Sequence, residues 1–234
     1  MLLPIPARLS ALEIRSGEGG GPEVLLDTAM KWSALVSHAP DEAALPSADW
    51  SGLGFFRLRF DLNVKTGERM NATLAYEQSA RWASRDRGGA SGGSGILPSQ
   101  ARAPFRAAPL YDEMVEEDRL VYTHEIDRAQ LAWHPEWGEV VLGRQAIGFG
   151  RGVLFSASDL FAPFSPLEAD REWRRGVDAA RFEYRLSDKT SVEALGVLGE
   201  DWEHSALLLR ARGYIGLVDG EILLGKRAED GLFA

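Results

Sequence analysis

Residues 55–65 alternate without a break: Phe56, Leu58, Phe60, Leu62 and Val64 take one side, and Arg57, Arg59, Asp61, Asn63 and Lys65 the other. A period of two is a strand pattern; on a helix the same arginines would be scattered around the circumference. After a Lys65-Thr66-Gly67-Glu68 turn the alternation returns, with Met70, Ala72, Leu74 and Tyr76 opposed to Asn71, Thr73, Ala75 and Glu77. The two runs predict a long hairpin. Four more hairpins follow from weaker versions of this pattern: 9–16 with 23–37 across a Gly-rich break, 121–133 with 139–150, 181–186 with 192–198, and 206–217 with 221–225. The last is closed by Asp219-Gly220, a strong two-residue turn signal. No segment has a persuasive amphipathic helical period.

The connections carry further information. Tight turns fall near residues 19, 66, 136, 188 and 219, whereas long links fall at 38–52, 83–120, 151–176 and, more briefly, 199–204. Strict alternation of the two kinds puts all tight turns at one end of an up-and-down sheet and all long links at the other. The expected fold is therefore all-β: an antiparallel up-and-down sheet of about ten strands in five hairpins, forming a single domain over 1–234. The strands exceed the ~5–6 residues usual in soluble sheets and suit the ~9–11 that a tilted strand needs to cross a bilayer. A transmembrane β-barrel or partial barrel is the architecture this favours. A soluble β-sandwich carbohydrate-binding protein, with Trp137, Trp173 or Trp202 as stacking platforms, is the alternative, because a sandwich alternates too.

Composition narrows the function classes. The 234 residues include 26 Lys and Arg against 35 Asp and Glu, a formal charge of −9, which argues against a nucleic-acid partner. No run approaches the ~20 apolar residues of a membrane helix. The absence of cysteine excludes disulfides and thiolate metal sites. The four histidines, His38, His124, His134 and His204, lie far apart without a metal-ligand spacing, and no serine sits in a nucleophile-elbow sequence. Neither an enzymatic activity nor a cofactor is expected. The acidic run Asp112, Glu113, Glu116, Glu117 and Asp118 lacks a calcium-loop pattern and reads as a solvated charge run.

The stretch 140–166 departs from plain alternation. Gly143, Gly148, Gly150 and Gly152 surround Arg144 and Arg151, and an aromatic, proline-closed loop follows with Asp159 inside an apolar run. Gly143, Arg144, Gln145, Gly150, Phe155, Asp159, Pro163 and Phe164 resemble bacterial outer-membrane porin-like β-barrels of the alginate-export and carbohydrate-porin kind. In those a Gly-Arg-Gln strand runs into a loop bearing an Asp and a Pro-Phe pair. The resemblance is most specific over residues 120–190 and only architectural elsewhere. It implies an outer-membrane channel without enzymatic activity, embedded in a lipid bilayer and compatible with a homo-oligomer. Two departures from the family point to a fragment. The first recognisable strand runs from the long-link end towards the tight-turn end, and the chain stops at Gly231-Leu232-Phe233-Ala234 where the family has a C-terminal strand ending in an aromatic residue. The opening segment, interrupted by Pro4 and Pro6, also lacks the basic and continuous apolar regions of a signal peptide.

Under this reading the charged faces line a lumen, which would carry Arg57, Arg59, Arg181, Arg185, Arg210 and Arg212. Fixed arginines attract anions, so passage of small polar, anionic or sugar-like solutes is the expected function. The plainer expectation is that these arginines pair with Asp61, Glu77, Glu183 and Glu193 across strands. Arg144 is expected to act either as a constriction residue or as a strand-to-loop brace, for instance with Asp159. Arg151 and Asp159 would act on solute at the pore mouth or brace the loop.

Overall fold

The computed structural model describes residues 2–15, 21–38, 50–84, 105–117, 119–148, 161, 174–215, 218–227 and 232–233. Twelve strands form one antiparallel sheet. They are β1 (Leu2–Arg15), β2 (Glu23–His38), β3 (Trp50–Thr66), β4 (Met70–Ala83), β5 (Tyr111–Glu116) and β6 (Leu120–Trp133). The remainder are β7 (Gly138–Gln145), β8 (Val177–Ser187), β9 (Thr190–Leu198), β10 (Ala206–Ile215), β11 (Val218–Arg227) and β12 (Leu232–Phe233). Each strand pairs with the next in sequence except β4, which pairs with β6; β5 lies off this path and pairs with β6 alone. Among the described residues β1 and β12 do not pair, so the path is open.

The ten expected strands are all present, and the long links leave from one end. Differences from the expected pattern have local causes. β1 begins at Leu2 rather than Leu9, running through Pro4 and Pro6, which pair with Ser33 and Lys31. A strand with a partner on one side only tolerates residues that lack an N–H. The last long hairpin does not reverse at Asp219-Gly220: these residues lie in β11 opposite Tyr214 and Gly213, and the reversal falls between Ile215 and Val218. A reversal at Asp219-Gly220 would set Arg212 against Arg227, whereas the observed register sets it against Glu221, replacing a like-charge pair by an attractive one. The acidic run expected to be a solvated charge run contributes β5, whose residues 111–116 pair with 121–125 of β6.

The alternation sorts the side chains in the opposite sense to a soluble sheet. On β3 and β4, Arg57, Arg59, Glu77 and Ser79 are buried. The apolar alternates are not: across the sheet Trp32, Leu74, Leu131, Leu142, Phe182, Leu198, Leu207, Leu209 and Ile222 are exposed, Leu142 by 51% and Ile222 by 64%. The sheet thus has a covered face, largely charged, and an open face, largely apolar.

Two parts of the covered face differ. Over β3, β4 and β6 it is charged. Over the link end of β8–β10 it is apolar, where Val177, Ala179, Leu195, Val197, Ala206 and Leu208 pack with Ile147 and with Phe105 and Phe161 from the connections. The Phe105 and Phe161 rings meet edge-to-face at 5.2 Å.

Candidate functional site

The charged part of the covered face is organised around Asp127. On β6 the register slips between Ile126, paired with Tyr76, and Arg128, paired with Ala75, leaving Asp127 as the extra residue of a β-bulge. A bulge re-aims side chains, and here Asp127 and Arg128 are both buried. The Asp127 carboxylate accepts from Arg59 (2.8 Å), Arg106 (3.2 Å), Arg128 (2.5 Å) and the backbone N–H of Gly176 (2.9 Å). Arg106 also donates to Glu125 at 2.5 Å and to the Gly176 carbonyl, and Arg128 donates to the Arg174 carbonyl. Arg59 reaches Asp61 and Glu77, and Glu77 in turn meets Arg57 at 2.9 Å. Charges buried to this extent persist only when paired and hydrogen-bonded.

Around β8–β10 the pairing is more open to solvent. Arg181 meets Glu139 at 2.8 Å, Arg210 meets Glu221 at 2.8 Å, and Arg212 meets Glu183 at 2.9 Å. Of the six arginines expected to line a lumen, Arg57, Arg59, Arg181, Arg210 and Arg212 each face a carboxylate. Among the described residues Arg185 does not: there its guanidinium reaches only the Gly138 carbonyl, at 3.4 Å.

Arg144 has a different position. By alternation it belongs with Leu142 on the open face, yet it is buried. β7 ends one residue later, and the slot it leaves between β6 and β8 is taken by residues 105–116, which continue in line with it. Leu110 O accepts from Ile126 N, and Phe105 O accepts from Asp178 N. Arg144 stitches this broken strand. Its guanidinium forks onto Asp178 (2.7 and 3.0 Å) and donates to the carbonyls of Ile126 and Ala108, while Asp178 accepts from Ala108 N. Backbone groups orphaned by the break are thereby satisfied. Gly143, at φ 106°, supplies the backbone turn before Arg144; a Cβ there would lie 2.2 Å from the Ala129 carbonyl oxygen. The brace is with Asp178; Arg151 and Asp159 lie outside the described residues.

On the open face, Trp137 of the 134–137 turn packs against Trp133, Phe182 and Tyr184, with ring centroids 5.2 to 6.0 Å apart. At the link end the indole of Trp82 lies against Gly54, and Trp202 sits under the Lys226 ammonium at 5.5 Å. One polar cluster interrupts this face: Tyr76 and His124 share a 3.2 Å hydrogen bond, and Gln78 bonds both Tyr76 and Tyr122. In the 199–205 link, the backbone N–H and ring of His204 hold the exposed Asp201 carboxyl below its ordinary range.

Sequence reasoning missed Asp127, Glu125, Arg106 and Asp178. The first two were within reach of it. In 121–133 the covered positions are odd up to Glu125, but Leu131 and Trp133 are odd and exposed, so the pattern must change phase between them. Among the described residues no group of His, Asp and Glu is arranged to hold a metal ion. Comparison with protein-family models, with curated proteins and with solved structures gives no match.

Proposed function

We propose that the protein is an outer-membrane porin-like channel, its sheet curled into a β-barrel or part of one, that passes small polar or sugar-like solutes. The observation that carries this reading is the inverted sorting of side chains: paired charges on the covered face and a broad apolar surface on the open one. Monomeric soluble proteins rarely expose contiguous apolar patches beyond a few hundred Å², whereas a membrane barrel requires an apolar exterior and a polar lumen. Aromatic clusters at the strand ends, around Trp137 at the tight turns and at Trp82 and Trp202 towards the links, suit a membrane–water boundary. A soluble sandwich would need a second sheet over the apolar face, and the described residues form one sheet. The extensive pairing of arginines with carboxylates limits any general anion preference, so the solute reading leans to neutral polar molecules more than the arginines alone suggest.

The test has two arms. The full chain is expected to fractionate with outer membranes, to need detergent for extraction, and to give discrete conductance steps in a planar bilayer. Recovery as a stable detergent-free monomer would overturn the reading. Leu142→Arg distinguishes the environments of the open face: it should cost ~2–4 kcal/mol of folding free energy in a bilayer if the site lies near the midplane, against less than ~0.5 kcal/mol at an exposed position in water.

A further inference from the structure

The tight-turn end of β8–β10 holds a cavity of about 190 Å³ lined by Arg185, Lys189, Ser191, Arg212, Tyr214 and Glu183. That volume is several times the ~30 Å³ share of one water in the liquid. Strand pairing places Arg185 directly opposite Ser191, and Ser191 opposite Arg212, so the three side chains project from one row of the covered face. Arg212 is already oriented, donating from Nε to Ser191 Oγ at 3.0 Å and from Nη2 to Glu183 at 2.9 Å. Arg212 and Arg185 both line the cavity. Among the described residues Arg185 has only the long contact to the Gly138 carbonyl, and no carboxylate pairs with Arg185 or Lys189. Asp188, also in the lining, makes no ion pair with either.

This cavity inverts the rule that holds elsewhere on the covered face, where arginines are matched to acids. The Arg185 guanidinium, a second guanidinium fixed by a hydroxyl and a carboxylate, and the Lys189 ammonium form a set of donors with too few acceptors among the described residues. The chemistry that completes it is a small tetrahedral or planar oxyanion, which accepts several charge-assisted hydrogen bonds at once. We propose that this cavity is a binding site for a small oxyanion, with Arg185 as its principal ligand and Lys189 and Arg212 as secondary ones. The site rests on the reading of the covered face as a lumen only for its role in solute passage; the binding itself does not depend on it.

Inorganic phosphate titrated into the full chain in detergent micelles, followed by calorimetry and by amide shifts of Ser191 and Arg212, tests the assignment. Saturable binding is expected. Arg185→Gln should weaken it about tenfold or more, the loss of one charge-assisted contact, and Arg185→Lys should weaken it less. Lys226→Gln, at the opposite end of β11, should leave it unchanged. Retained heat-modifiable electrophoretic mobility shows that each variant is folded. Absence of saturable binding, or equal affinity in wild type and Arg185→Gln, overturns the proposal. Phosphate binding in a protein that gives no conductance would sink the channel reading and leave the site standing.

Discussion

The covered face solves one problem in two ways. Over β3, β4 and β6, Arg57, Arg59, Glu77, Asp127 and Arg128 are buried and held by mutual pairing, and Glu125 is held by Arg106. Over the link end of β8–β10, Val177, Leu195, Val197 and Leu208 are buried as hydrocarbon beneath Phe105 and Phe161. The charged half has directional demands, since each carboxylate must sit where several donors converge. The apolar half needs only volume. Residues 105 and 106 join the two: Phe105 enters the apolar cluster and Arg106, its neighbour, enters the charged network. One short segment therefore seals both halves, which makes its placement a shared condition of the whole face.

The largest effect separating the two halves should come from Asp127→Asn. Three guanidiniums lose their common carboxylate, and breaking a buried charge network from one side costs ~3–5 kcal/mol. Urea titration of the folded protein in detergent or lipid checks this; a loss below ~1 kcal/mol would mean that the network is wet enough to re-pair. Leu195→Ala should cost ~2–4 kcal/mol through the cavity it leaves, and the loss should shrink if the connections above it can settle into the gap. Combined with Asp127→Asn it should be close to additive if the halves are independent. A departure of more than ~0.5 kcal/mol would show coupling through residues 105 and 106. The smallest effect is expected from Arg144→Lys, which keeps the charge but loses the fork. A drop of about 1 kcal/mol should appear with faster amide exchange at Ile126 and Asp178, the donors to Leu110 and Phe105, and unchanged exchange in β2 and β3.

The same contrast explains what the sequence could reveal. The strands of β3 and β4 were plain because eleven consecutive residues, 55–65, keep phase, and the pairings of Arg59 with Asp61 and Glu77 follow from that phase. β6 was legible as a strand, but its phase change at Asp127 is a single inserted residue, easily read as noise. Arg106 and Asp178 were out of reach for another reason: Arg106 lies in a proline-bearing stretch with no period, and its partners are 19 and 21 residues away along the chain. The Asp219-Gly220 turn misled because local turn chemistry was outweighed by the cross-strand charges of β10 and β11. Arg144 was conspicuous among its glycines, yet its partner, Asp178, is 34 residues on and on a strand whose start has no marker.

The stitched strand also bears on the order of assembly. Hairpins β3–β4, β8–β9 and β10–β11 can each close from local chain alone, within a few residues of a turn. The row made of β7 and residues 105–116 cannot, because it draws its two pieces from opposite sides of β6 in sequence. Arg144 finds all its acceptors only when β6, β8 and the 105–110 segment have arrived together, so its contacts report on completion rather than on progress. A chain stalled with that row half filled would leave an unpaired strand edge on β6, the kind of edge other chains recognise. The four-way junction at Arg144 thus requires four separate pieces of chain to be in place at once.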